Sequence, residues 1–167
     1  MTESKILEFK RPQKIEKIPT LEHLIHTAFN HPNQKQAESL YNQILAQDIN
    51  SGLRARCYIN LGNIYYYQKE LRRAKHFYRQ ALEFDKTKEG WYNQGNVLEE
   101  LHKYDEAITS YYKSLELDPN YEVVHFNLAR LLAMCGNLWE SKKHWLRYTQ
   151  IGSNPHKRKI AQEFLED

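Results

Sequence analysis

Tyr58-Ile59-Asn60-Leu61-Gly62-Asn63-Ile64-Tyr65, followed by Ala74, Tyr78 and Ala81, is the stretch whose reading decides the fold. It returns 33 residues later as Trp91-Tyr92-Asn93-Gln94-Gly95-Asn96-Val97-Leu98, followed by Ala107, Tyr111 and Ser114. A further 34 residues on, the places of Trp91, Gly95, Ala107 and Tyr111 are held by His125, Ala129, Ser141 and Trp145. Four landmarks that shift together make a repeat. A fainter copy (Leu21, Leu24, Ile25, Ala37 and Tyr41) lies 37 residues before the quoted stretch. Its extra residues fit into Asp48–Gly52, where lengthening a loop costs little entropy. A period of this length implies stacked helix-turn-helix units, each needing its neighbour to bury an apolar face.

The pattern of an aromatic residue, Leu-Gly, Tyr, Ala, a second aromatic and a closing proline (Pro119) resembles that of the tetratricopeptide-repeat (TPR) family. The resemblance implies an all-α right-handed superhelix, an α-solenoid, of about four units at 18–54, 55–87, 88–121 and 122–154. The outer two are degenerate, as terminal units with one unpartnered face should be. Gly62 with Ala74, and Gly95 with Ala107, lack bulk where the helices of a unit cross. Tyr58, Tyr65, Tyr78, Trp91 and Tyr111 are large fillers between helices, each contributing a few kcal/mol by burial (~2 kcal/mol apiece).

Turn chemistry divides the chain into helices over about 20–30, 33–47, 52–68, 71–84, 87–102, 104–117, 121–135 and 137–150. His31-Pro32-Asn33, Asp118-Pro119-Asn120 and Gly136-Asn137 mark three of the breaks. Asn154-Pro155 reads as a cap and first-turn proline for a ninth helix, within a capping segment at 155–167. There Ile160, Phe164 and Leu165 cover the fourth unit while Lys157, Arg158, Glu163 and Glu166 stay in water. Residues 1–17, with mixed charges around Pro12 and an apolar group at Ile6, Leu7 and Phe9, read as a mobile N-terminal tail.

The composition restricts the function classes. The 167 residues carry a net charge of +3, and 27% of them are charged. That balance is too small and too scattered for a nucleic-acid partner. No apolar run approaches the ~18 residues of a membrane span, and the first residues lack a secretory leader's apolar stretch, so the expectation is a cytoplasmic protein. The two cysteines, Cys57 and Cys135, form no CxxC and read as buried, inert thiols. The eight histidines show no metal-ligand spacing, and no metal or cofactor is expected. No phosphate loop, nucleophile elbow or HExxH is present in the sequence, so the chain reads as non-catalytic. Lys69, Arg72, Arg73, Lys75 and Arg79, and separately His156-Lys157-Arg158-Lys159, are basic runs that read as solvated faces or surfaces for an acidic partner.

Function then falls to the groove. In the family the first helix of each pair lines a concave surface, and register places Asn60, Asn93 and Asn127 there, with Asn63, Asn96 and Arg130 one turn on. Ile59, Tyr92 and Phe126 stand beside them, and Tyr66, Tyr67, Glu99 and Glu100 lie toward the helix ends. A carboxamide offers both an acceptor and donors, so the ladder matches the C=O and N–H groups of an extended peptide. The resemblance implies the same, because some TPR proteins hold peptides on asparagine ladders. Asn63 and Asn93 also match asparagines of the co-chaperone receptors for C-terminal carboxylates. The matching cation places, however, hold Ile59, Val123 and Asn127, which leaves a buried carboxylate uncompensated. The reading is a peptide- or protein-binding adaptor or scaffold, with Asn60, Asn93 and Asn127 on backbone, Tyr92, Phe126 and Arg130 setting preference, and Asn63 and Asn96 completing the candidate peptide-binding residues. It would be a monomer or weakly self-associating, with no nucleic acid and no membrane insertion. Two alternatives share the architecture: a chaperone for secreted substrates, and a self-associating structural subunit.

Overall fold

Capping side chains and left-handed turns start or end most of the helices among the described residues, and those signals set the stack. The structure, a computed structural model, describes residues 20–166. The anticipated tail at 1–17 and the terminal Asp167 lie outside the described residues. Among those described, the elements are α1 (Leu21–Phe29), α2 (Gln34–Leu45), α3 (Ser51–Tyr67), α4 (Leu71–Phe84), α5 (Lys88–Glu100), α6 (Tyr104–Leu117), α7 (Glu122–Met134), α8 (Leu138–Ile151) and α9 (Pro155–Glu166). Every one is helical, and no strand occurs among the described residues. The helices pack as the pairs α1·α2, α3·α4, α5·α6 and α7·α8, each pair leaning on the next, with α9 against α8. This is a helical solenoid.

Side chains start several helices. Asn50 accepts from Leu53 N–H at 2.8 Å, Thr87 from Gly90 N–H at 3.1 Å and Asn154 from Lys157 N–H at 3.1 Å, satisfying orphan donors of α3, α5 and α9. The turns inside units two to four share one backbone device. Lys69 (φ 62°), His102 (φ 58°) and Gly136 (φ 81°) are left-handed. The next residue's N–H reaches back to Tyr65, Leu98 and Leu132 carbonyls, each at 2.9 Å. These are three Schellman closures in register. Two of them place a side chain where glycine is preferred, which costs about 1 kcal/mol. His102→Gly should therefore raise stability by about 0.5–1 kcal/mol in urea melts. An unchanged or lowered midpoint would show that the His102–Tyr104 contact at 2.9 Å outweighs the backbone cost.

Close approach explains the glycines of the repeat. A Cβ on Gly62 would lie 2.4 Å from the Tyr78 ring, and one on Gly95 would lie 2.5 Å from the Tyr111 ring. Both tyrosines are buried in the clusters that join unit to unit. At the C-terminal end, Ala161 is fully buried, with Ile160, Phe164 and Leu165 half-buried over Ala129, Trp145 and Tyr148. Glu122 holds this joint by accepting from the Ser153 amide at 2.6 Å and its hydroxyl at 2.7 Å. Lys157 was expected in water. Instead it is half-buried, its ammonium 4.6 Å from the Phe126 ring centroid.

Two other expectations need revision or detail. Cys57 is buried, and burial pushes its thiol up to about 11, whereas Cys135 is exposed because it caps the end of α7 beyond the last core position. His125 takes Trp91's place as a packed residue, but not alone. Its Nε2–H donates to the Pro119 carbonyl at 3.0 Å, leaving Nδ1 bare to accept from His144 Nδ1–H at 2.9 Å. His144 Nε2 can then accept the Tyr112 hydroxyl at 3.4 Å. The acceptor-only carbonyl at one end fixes both tautomers.

Candidate functional site: the inner face of the first helices

The first helices of consecutive units lie side by side, with α3 touching α5 directly. Their shared face carries the asparagines picked out by register, and the side chains are already organised. Tyr78 O–H donates to Asn63 Oδ1 at 2.8 Å, and Asn93 Nδ2 donates to the same oxygen at 3.5 Å. One unit on, Tyr111 O–H donates to Asn96 Oδ1 at 2.7 Å, and Asn127 Nδ2 donates to that oxygen at 3.1 Å. At the N-terminal end the buried Tyr41 is the tyrosine equivalent to Tyr78 and Tyr111. The rung is therefore a triad: a buried tyrosine from a second helix, an asparagine above it, and an asparagine from the next unit.

The carboxamides have polar capacity left. Asn63 and Asn96 each keep both Nδ2 hydrogens, and Asn93 and Asn127 each keep Oδ1 and one hydrogen, with no other side-chain partner among the described residues. All of these asparagines are half-buried, so these groups remain open to solvent. Burial pushes the Tyr78 hydroxyl far up, and burial with the Glu99 charge does the same to Tyr111. Both remain neutral donors that hold the ladder in one orientation.

Charge along the rim is matched locally. Glu99 lies 3.0 Å from the Tyr111 hydroxyl, whose single hydrogen it shares with Asn96, and pairs with Arg130, so that cation is partly committed. Glu100 accepts from Tyr66 at 2.5 Å and pairs with Lys69 at 2.9 Å, and these bonds hold its carboxyl below the usual range. Tyr92 is half-buried between Tyr111 and Tyr121, with ring centroids 6.3 and 5.7 Å away. Phe126, equivalent by spacing, meets Trp145 and Tyr148 edge-on, each at 5.2 Å, beneath Lys157. Its contacts tie it to the capped end of the stack. The other seven residues chosen by register lie on α3, α5 and α7.

Register missed two parts of this surface. It read Tyr78 and Tyr111 as fillers and not as the donors that lock the asparagines. It also passed over a hollow of about 780 Å³ at the N-terminal end, where Leu21, Ile25 and Phe29 face Leu53, Ile59 and Asn60. The i, i+4, i+8 spacing of Leu21, Ile25 and Phe29 was the available signal. Among the described residues no three His, Cys, Asp or Glu side chains gather as a metal site, and no helix is long and apolar enough to cross a membrane.

The helix pairs, the glycine-under-tyrosine crossings and the left-handed turns define a repeat protein of stacked helical hairpins. The chain belongs to the tetratricopeptide-repeat family: one tetratricopeptide-repeat model matches residues 55–88 and 89–121, and a second matches residues 110–143. It is similar to a tetratricopeptide repeat protein from Parabacteroides merdae ATCC 43184, with a TM-score of 0.75 at 19% identity, covering 87% of this chain and 59% of that one. It is also similar to YrrB, described as a TPR protein with an unusual peptide-binding site, with a TM-score of 0.69 at 21% identity, covering 89% and 77%. These likenesses carry the fold. In sequence the chain is 28% identical over 124 residues to the human protein O-mannosyl-transferase TMTC3, which is 71% of this chain but 13% of that protein's length.

Proposed function

We propose that the chain is a non-catalytic adaptor that holds an extended peptide segment of a partner protein along α3, α5 and α7. The observation that carries this reading is the ladder's residual chemistry: unused N–H groups on Asn63 and Asn96 beside unused carbonyls on Asn93 and Asn127. An extended backbone presents the complementary alternation of C=O and N–H. The apolar hollow at Leu21, Ile25 and Ile59 would take a side chain at one end, and Arg130 would face the other. The described peptide site of YrrB supports the use of this fold for such a ligand. The likeness to the mannosyl-transferase spans too little of that enzyme to bring transfer chemistry to this chain. The free thiols Cys57 and Cys135 favour a reducing compartment such as the cytoplasm.

The test begins with a peptide selected from a random displayed library, measured by calorimetry. Asn93→Ala combined with Asn127→Ala should weaken it about tenfold or more, a loss of ~1.4 kcal/mol. Both substitutions also remove inter-unit bonds, so melting should fall by about 1 kcal/mol for the stronger Asn127 contact. N-methylation of the peptide's backbone amides should be as damaging as side-chain truncation, or more so. Selected peptides that bind the double variant as well as wild type would remove the ladder from recognition.

A further inference from the structure

The basic run that opens in the turn before α4, at Lys69, and continues along that helix is sorted by its surroundings into committed and uncommitted cations. Lys69 is bound to Glu100, and Arg73 is bound to Glu70 at 2.9 Å and lies 3.8 Å from the Tyr65 ring centroid. The remainder line a hollow of about 530 Å³ formed by Arg72, Lys75, His76 and Arg79 of α4 with Leu101 and Lys103 from the α5–α6 turn. None of the six is acidic. Glu106 stands at the edge, at 2.5 Å from Lys103 and 4.0 Å from Lys75, so one carboxylate is shared between two ammonium groups. Arg79 meets Glu83 at 3.8 Å with both side chains more than half exposed, a contact worth little. Arg72 has no carboxylate within ion-pair distance among the described residues.

A second hollow of about 430 Å³, lined by Lys69, Glu70, Leu71 and Arg73, shares Arg72 and Leu101 with the first; its one carboxylate, Glu70, is paired with Arg73. Two hollows with a common wall make a trough longer than a single ion needs, with Leu101 as its apolar point. It lies on second-helix surface, away from the asparagine ladder. We propose that this outer trough is a second docking surface, for an acidic polypeptide segment carrying an aliphatic side chain among its carboxylates. Charge complementarity names the occupant: Arg72 and Arg79 supply forked donors to carboxylates, and Leu101 meets the aliphatic group. Glu70 lines the trough and Glu83 and Glu106 border it, each paired with a basic neighbour, while Leu71 and Leu101 give it the apolar surface that an aliphatic side chain fits and a phosphate backbone does not. The chain would then hold two partners at once, one on each side.

A fluorescent peptide of glutamates around a central leucine pair is the probe, followed by anisotropy with the full chain at low and physiological salt. Binding should be detectable at low salt and weaken about tenfold at physiological salt. Arg72→Glu with Arg79→Glu should weaken it at least about tenfold, with the helical circular dichroism unchanged. Glu106→Gln should act in the opposite direction and tighten it about two- to threefold, by freeing Lys75 and Lys103. Asn93→Ala with Asn127→Ala should leave it unaltered, which separates this surface from the inner one. No binding by wild type, equal binding by the Arg72 and Arg79 variant, or tighter binding of an oligonucleotide of equal charge would each overturn the proposal.

Discussion

Tyr111→Ala should cost about 3–5 kcal/mol, the largest loss expected of any single substitution in the chain. The side chain is fully buried, its ring fills the space that Gly95 leaves open, and it sits in the cluster joining α5 and α6 to Val124, Leu128 and Leu131 of α7. Truncation leaves a cavity that α5 cannot close, because the backbone at Gly95 has no side chain to move into it. A unit lost from the middle also deprives α7, α8 and α9 of their neighbour, since each unit of a solenoid is stabilised by those beside it. For a chain of this size the midpoint should drop by roughly 10 °C or more. Tyr111→Phe separates packing from hydrogen bonding. It keeps the ring and loses only the hydroxyl bonds to Asn96 and Glu99, costing about 1 kcal/mol. Urea titrations that find the two variants equally stable would mean that the ring is not the keystone of this interface.

Acidification should destabilise the protein well before its carboxylates protonate. Burial, followed by the neighbouring His125, lowers His144 from its ordinary 6.5 to about 4, and burial also lowers His125. A depressed histidine is stabilising while neutral in both states. Stability is complete above pH 6.5 and declines as pH falls, because the unfolded chain takes up protons that the folded chain refuses. The groups facing the pair do not reverse this: Glu140 favours charge on His144 while Lys143 opposes it, and Asp118 favours charge on His125 while Arg147 opposes it. Tyr112 faces His144 as a neutral hydroxyl. Between pH 6.5 and 5 the loss should be about 1–2 kcal/mol once screening by the remaining water is allowed for, or roughly 3–6 °C in midpoint. Glu100, Glu106 and Asp118, whose carboxyls are held low by Tyr66, Lys103 and Lys88 respectively, add a separate limb only below about pH 4.5. His144→Gln should flatten the upper limb and spare the lower. An acid profile unchanged by that substitution would remove the histidine pair as its cause.

Most of the fold was legible because helix punctuation and landmark spacing are local properties of the chain. Pro32, Pro119 and Asn154-Pro155 placed boundaries within a residue or two of those observed. Lys69 and His102 were not recognised as left-handed, because nothing in a lysine or a histidine announces that backbone state. Gly136 at the equivalent position was the only hint. The candidate site was half legible. Register put Asn60, Asn93 and Asn127 on one face, but it carries no information about what lies across from each amide. The tyrosine beneath each rung and the engagement of Phe126 with Trp145 are contacts between the two helices of one unit, and the capture of Arg130 by Glu99 crosses to the next unit; all are tertiary contacts. The same limit explains Cys135, which falls past the last buried position of α7, and Lys157, whose ammonium lies over an aromatic ring.

The tyrosine of each rung gives way in the last unit to Trp145, a buried indole whose Nε1–H has no partner, seated against Phe164 with ring centroids 5.7 Å apart. An indole kept from water and without a hydrogen bond emits at short wavelength, whereas Trp139, 68% exposed, emits at long wavelength. With Trp91 half-buried beneath Lys113 as the third emitter, the molecule carries a built-in optical gauge: the change in its blue emission when Trp145 is uncovered reports whether the final helix is seated, with no added dye.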